Sequence, residues 1–271
     1  MPVSRKRKKL PKKKVGRISS AATKNKRPGS PIASFADLQE EAARALQSVS
    51  VNDLDSIGLA SFYILYAPSD VLNQCVMASG SLWLARQVLG AESEIAPAVL
   101  QIPWANEQWG KPQPELNPDG TLNGHVVLVT DTGILIDVTA GQLASLNARR
   151  NGLPIIGRDA EIWNYVCAPE ALKDPSRRCK AVIMSSPTEP LVSYDIYSPM
   201  WVSKIVAEFL SQGGNKLSTY VHNFVNQFIW IVANTILVGA RAHEVALIPN
   251  PHFQSLVRAA VGTPRPAALN F

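Results

Sequence analysis

Residues 124–143 read GHVVLVTDTGILIDVTAGQL, and this stretch decides the fold. Val126–Val129 and Ile134–Val138 are apolar and rich in β-branched residues, the composition of buried strands. Between them Asp131-Thr132-Gly133 supplies turn chemistry, with glycine ending a three-residue loop. The stretch predicts an antiparallel hairpin with both strands largely buried. A three-residue loop pairs Thr130 with Ile134 and Val127 with Asp137. His125 then lies diagonal to Asp137 on the same face, within reach of long side chains. A two-residue loop would put the two residues on opposite faces. In the favoured register Asp137 can hold the imidazole by one nitrogen and leave the other for a nucleophile. Either residue alone reads more readily as a polar group satisfied at a strand end.

Upstream, residues 69–90 read SDVLNQCVMASGSLWLARQVLG, a helix with its start and stop. Asn73 is the favoured cap and Gly90 falls just past the last turn. Cys75 is then in the first turn, where backbone N–H groups lack helical partners. Those donors and the positive end of the helix dipole suit an anion, either a thiolate or the oxyanion of a tetrahedral intermediate. Ala78, Ser79, Gly80 and Ser81 allow close approach of another element. Val76, Trp83, Leu84 and Val88 are the expected buried stripe. Cysteine is more often a small buried hydrophobe than a nucleophile. What shifts the weight is its combination with a histidine and an aspartate across one hairpin.

The order Cys75, His125, Asp137, with the last two on adjacent strands, resembles the transglutaminase-like branch of the papain-like cysteine enzymes. The string HVVLVTDTGILIDVT also looks like the matching hairpin of arylamine N-acetyltransferases, which share that broad fold. The resemblance covers roughly Asp70–Leu143. It implies a nucleophile-bearing helix packed on an antiparallel sheet, with Cys75 as nucleophile, His125 as base and Asp137 as orienter. The chain departs from these families in places. Ser69 stands where papain-type proteases carry an oxyanion glutamine, and Gln74 is adjacent to the cysteine instead. The acetyltransferases' arginine-and-glycine run before the cysteine is absent, and Thr139-Ala140-Gly141 replaces their glycine- and phenylalanine-containing stretch after the aspartate.

With 271 residues, 46% of them hydrophobic, the chain can bury a full core. Charge is uneven: 12 of the 27 Lys/Arg lie in the first 28 residues, where there is no acid, and the other 15 face all 21 acidic residues. Residues 1–31 are therefore expected to form a disordered basic tail. Its KRKK and PKKK runs, within residues 5–27, suit salt-sensitive, sequence-blind contact with nucleic-acid phosphates. No aromatic residue interleaves to stack on bases. A plain solvated tail fits the same composition. The tail lacks the following apolar segment of a signal peptide. Three cysteines, Cys75, Cys167 and Cys179, form no disulfide framework and no CxxC pair, which points to a reducing cytoplasm and to no metal or other cofactor.

Ser34-Phe35-Ala36-Asp37 fits a capping box before a helix ending near Val49. Ser56–Tyr66 is read as helix and Ile95–Ile102 as strand. Residues 103–124 are rich in Pro and Gly and are expected to form a long loop; its Trp104 and Trp109, with Gln74, are the candidate substrate wall, although two tryptophans packing a loop onto a core would look the same. Gln142–Asn151 reads as a short helix or turn, and Glu161–Ala168 and Ala181–Ser185 as strands. Helices are expected at Trp201–Gln212, ended by Gly213-Gly214, then at Leu217–Gly239 and Pro251–Val261. The second of these approaches membrane-spanning length, but His222, Asn223, Asn226, Gln227 and Asn234 interrupt it, so a buried amphipathic helix is expected instead. His222, His243 and His252 lack a well-placed strand acid and read as structural.

The expected fold class is α+β. One domain spans residues 32–262, with extra C-terminal helices and a Pro-rich end at 263–271. The expected function is cysteine-dependent acyl transfer, as a hydrolase or an acyltransferase acting on an amide or acyl substrate, a protein among the options. The alternative is a non-catalytic papain-like binding protein tethered to nucleic acid by its tail.

Overall fold

The computed structural model describes residues 42–66, 75–118, 122–150, 155–156, 163–165, 179–186, 188–239 and 241–267. All of these fall within one compact unit, Phe35–Phe271. The basic tail, the expected capping box at Ser34–Asp37, Asn73, Gln74 and Cys167 lie outside the described residues. The fold is α+β with an antiparallel sheet.

The sheet is organised on β1 (Ser93–Ile102). One edge of β1 pairs with β10 (Glu189–Ile196), with Ala98 opposite Ile196 and Leu100 opposite Tyr194. The other edge is shared. Its first half pairs with β5 (Val126–Thr130) and its second half with β2 (Glu107–Gly110). From β5 the sheet continues through β6 (Leu135–Asp137) to β7 (Ile155–Ile156), and from β10 through β9 (Cys179–Ser186) to β8 (Trp163–Tyr165). Pro97 sits inside β1 although proline cannot donate to a ladder. Its position explains its tolerance: β10 has just ended, and the Pro97 carbonyl accepts from Tyr197 N at 3.0 Å.

The hairpin has the register expected from a three-residue loop. Leu128 faces Ile136 and Val129 faces Leu135, while Thr130 N donates to Ile134 O at 2.9 Å. Gly133 takes a left-handed φ of 80°, which is why glycine ends the turn. The 103–124 stretch differs from the irregular loop expected. Asn106 turns the chain with φ 52°, so β2 folds straight back on β1, and β3 (Glu115–Leu116) pairs with β4 (Leu122–Asn123). A short polar turn after Pro103 is enough to make a hairpin where composition suggested only loop.

Alternation along the strands sends side chains to two cores. Val126, Leu128, Ile134 and Ile136 face the helices; Val127, Val129, Leu135, Ala96, Ala98 and Tyr194 face the other way. On the helical side, α1 (Leu59–Tyr66) follows a π-helical turn, confirming helix over strand for this apolar run. It touches α2 (Cys75–Val88) and packs on α4 (Met200–Ile231) through Phe62, whose ring lies 5.1 Å from Phe224 and 5.7 Å from Phe228. After the short α3 (Ala144–Arg150) and the sheet strands, α4 consists of two helical segments meeting at a kink at Gly214, φ 46° and ψ −140°, the break expected from Gly213-Gly214. The chain then forms a π-helical turn and α5 (Pro251–Ala260), whose Phe253 stacks on Phe228 at 6.0 Å. Val221, Phe224, Val225 and Phe228 are buried while His222, Asn223 and Asn226 face out, as an amphipathic helix requires. Among the described residues no helix is long and apolar enough to cross a membrane.

The buried face of α2 is rotated from the one expected. Val76, Trp83, Leu84 and Val88 are only half-buried, whereas Ala78, Ser81, Leu82, Ala85 and Arg86 are buried. The small residues win because the helix lies close against both β5 and α4, leaving room for Ala and Ser and not for Trp.

Candidate active site

Cys75 is the first helical residue of α2 and is 7% exposed. The helix is docked on the hairpin close to this end: Ser79 Oγ donates to the Val126 carbonyl at 3.4 Å, one residue from His125. Cys75 is among the groups that raise the His125 pKa, so its thiol lies beside the imidazole. His125 Nε2 donates to Asp137 Oδ2 at 2.7 Å. Since Nε2 faces a carboxylate, which only accepts, it carries the proton, and Nδ1 is the nitrogen left for sulfur. The three residues expected to meet are thus brought together, and the hairpin register is what joins the second to the third.

Asp137 is 1% exposed, and every contact to it is a donor. Oδ1 accepts from Thr139 N at 3.0 Å, Thr139 Oγ1 at 2.9 Å and Ala140 N at 3.0 Å. Oδ2 accepts from the Tyr194 hydroxyl at 3.0 Å as well as from His125. Burial alone would favour the neutral acid; the His125 charge, its hydrogen bond and the Thr139 and Tyr194 hydroxyls outweigh it and hold the carboxyl below the usual carboxylate range. For His125, burial alone would favour the neutral ring. The Asp137 charge and hydrogen bond, then Cys75, overcome that and push its pKa up to about 10 from 6.5. The resting arrangement is an imidazolium, its side chain 12% exposed, between a carboxylate and a sulfur.

The seat of the imidazole is completed by a residue with no side chain. Gly110, at the end of β2, has φ 92°, and a Cβ there would lie 2.2 Å from the Ala98 carbonyl oxygen and 2.8 Å from His125 Cβ. Ala98 N in turn donates to the His125 carbonyl at 2.9 Å. β1 therefore holds the His125 backbone while β2 closes over its side chain.

The tryptophans divide. Trp104 Nε1 donates to the Leu191 carbonyl at 3.0 Å, and its ring packs on the core opposite the helices. Trp109 is 45% exposed and sits one residue from Gly110, its indole 3.4 Å from Glu107 Oε2. Glu107 Oε2 is also bonded by Ser145 Oγ, which ties β2 to α3. Gln74, the third residue of the expected substrate wall, is outside the described residues. The rival histidines are engaged elsewhere or exposed. His222 Nδ1 lies 2.8 Å from the Ser218 carbonyl and His252 Nε2 lies 3.1 Å from the Val88 carbonyl. His243 is an exposed side chain beside Glu244.

Sequence reasoning passed over Tyr194, Thr139 and Gly110. For Tyr194 a signal existed: in Glu189–Ile196, EPLVSYDI, every second residue is apolar or aromatic, yet no strand was expected there. Gly110 carried no readable signal, because a glycine's role depends on what approaches it. Among the described residues no group of His, Cys, Asp and Glu could hold a metal ion. No protein-family model, no curated protein and no solved structure matches this chain.

Proposed function

We propose that this chain is a cysteine-dependent acyl-transfer enzyme of papain-like, transglutaminase-like architecture. The observation that carries the reading is Cys75 at a helix start beside His125, whose Nε2 is bonded to Asp137. Each member suits one step. With the proton shared by the pair resting on His125 Nδ1, Cys75 Sγ attacks the carbonyl carbon of an amide or acyl substrate. The oxyanion is met by backbone N–H groups of the first turn of α2, at Cys75 and Val76, which have no helical acceptor. His125 returns the proton to the departing amine or thiol, leaving a thioester on Cys75. Water or an amine, deprotonated by His125, then attacks the thioester, releases the product and restores the thiol. Asp137 keeps the imidazole in one tautomer and balances its charge throughout.

Trp109, exposed beside Gly110, is the better placed of the two tryptophans to meet a substrate, while Trp104 supports the sheet. A free nucleophilic thiol needs a reducing compartment, so we assign the enzyme to the cytoplasm.

The test is labelling with a thiol-directed acylating or alkylating probe at neutral pH, followed by peptide mapping. Cys75 should label far faster than Cys167 or Cys179, and Cys75→Ala should abolish the fast phase. Equal labelling of the three cysteines overturns the reading and leaves the tethered binding protein as the better account.

A further inference from the structure

Resting on the acyl-transfer reading, we propose that Tyr194 is a positioning residue: its hydroxyl fixes the Asp137 carboxylate in the orientation His125 needs. Tyr194 comes from β10, a strand separated from the hairpin by β1, so it ties the relay to the far half of the sheet. It is fully buried, and its hydroxyl donates to Oδ2, the same oxygen that receives His125 Nε2.

The two carboxylate oxygens are held differently. Oδ1 is secured by Thr139 and Ala140, only a few residues away in the chain. Those bonds alone would let the carboxyl group pivot about Oδ1 and swing Oδ2 off the imidazole. Tyr194 supplies the second anchor, and it does so at the oxygen that the relay uses. Among the described residues the groups facing Asp137 are His125 from just before β5, Thr139 and Ala140 from the turn after β6, and Tyr194 from β10, with Cys75 beside His125. Among the described residues His125 is thus the one cationic group at the carboxylate, and Tyr194 is the neutral donor that shares its oxygen. Donation to the ionised form also favours that form, so losing the hydroxyl makes Asp137 easier to protonate.

The experiment is the pH profile of iodoacetamide alkylation at Cys75 in the full chain, for the wild type and for Tyr194→Phe. Phenylalanine keeps the ring that packs in the core and removes the donor alone. The acid limb should move up by about half to one pH unit, with the alkaline plateau little changed. A residue that only fills space would alter thermal stability and leave the limb where it was. A folded Tyr194→Phe protein with the wild-type limb overturns the proposal. If Tyr194→Phe fails to fold, 3-fluorotyrosine placed at position 194 gives a stronger donor on the same ring. The limb should then move to lower pH, and an unmoved limb overturns the proposal. Should wild-type Cys75 alkylate no faster than a cysteine in a short peptide, the acyl-transfer reading falls and takes this one with it. Fast wild-type alkylation with an unmoved limb in the variant removes the Tyr194 role alone.

Discussion

The two ends of α2 both carry buried charge, and both grip the same hairpin. At the start, Cys75 meets His125 and, through it, Asp137. Near the finish, about 16 Å along the axis, Arg86 is 1% exposed and is bonded to Ser56 Oγ, the Glu92 carbonyl and Asp131 in the hairpin turn, with Asp55 close by. Burial lowers the Arg86 pKa and raises that of Asp55, each opposed by the other's charge. The difference lies in what a proton can do. A guanidinium does not give up its proton at accessible pH, and all its partners here accept. That end can only fasten. At the other end a thiol, an imidazole and a carboxylate stand in a row, and a proton moved along it frees an atom that can attack. Buried charge therefore marks a site only where it is coupled to a transferable proton and a nucleophile.

This contrast can be broken most sharply at Asp137. Its partners are all donors, so Asp137→Asn removes the charge and sets an amide N–H against another donor. The second-order alkylation rate of Cys75 at about pH 6 should fall roughly 10²- to 10³-fold, because ordinary thiols hold little thiolate there. A fall of less than about threefold would mean that Asp137 does not govern the relay. At the fastening end the expected pattern is reversed. Arg86→Met leaves Asp55 without its counter-charge and should cost about 3 kcal/mol in urea unfolding, while Cys75 in the folded fraction alkylates as before. Loss of alkylation in folded Arg86→Met protein would erase the distinction between the two ends.

The smallest effect is in the pH dependence of stability. His125 has its pKa raised by folding, from an ordinary 6.5 to about 10. Its contribution is fully present below the lower value and is lost as pH rises through the higher one. The stability gap between wild type and His125→Gln, read from urea midpoints, should narrow steadily over that interval. The gap for Arg86→Met should stay flat, since arginine does not titrate there. A flat gap for both would mean that His125 is not held as an imidazolium.

Much of the near end was legible because its information is local. The hairpin register follows from loop length and Gly133, and a helix start follows from the residues around Cys75. The fastening end was not legible, since an arginine in a helical stretch reads as solvent-facing until the partners arrive from Ser56 and Asp131. The rotated face of α2 has a similar cause. Hydrophobicity ranks Trp83 above Ala78, but close approach to β5 and α4 selects for size. The β2 hairpin was hidden by composition, because Pro and Gly around it read as loop while the pairing depends on Asn106 turning the chain.

The bare position at Gly110 has its own implication for how this site can vary. With a Cβ excluded by the Ala98 carbonyl and the His125 side chain, the residue fixes the imidazole's place by what it lacks. An inventory of reactive groups would pass over it, yet drift at that position is barred as firmly as at the sulfur. Any descendant of this chain that reshapes the surroundings of the imidazole has to do so around Gly110, by changing the exposed neighbour Trp109 or the elements beyond it.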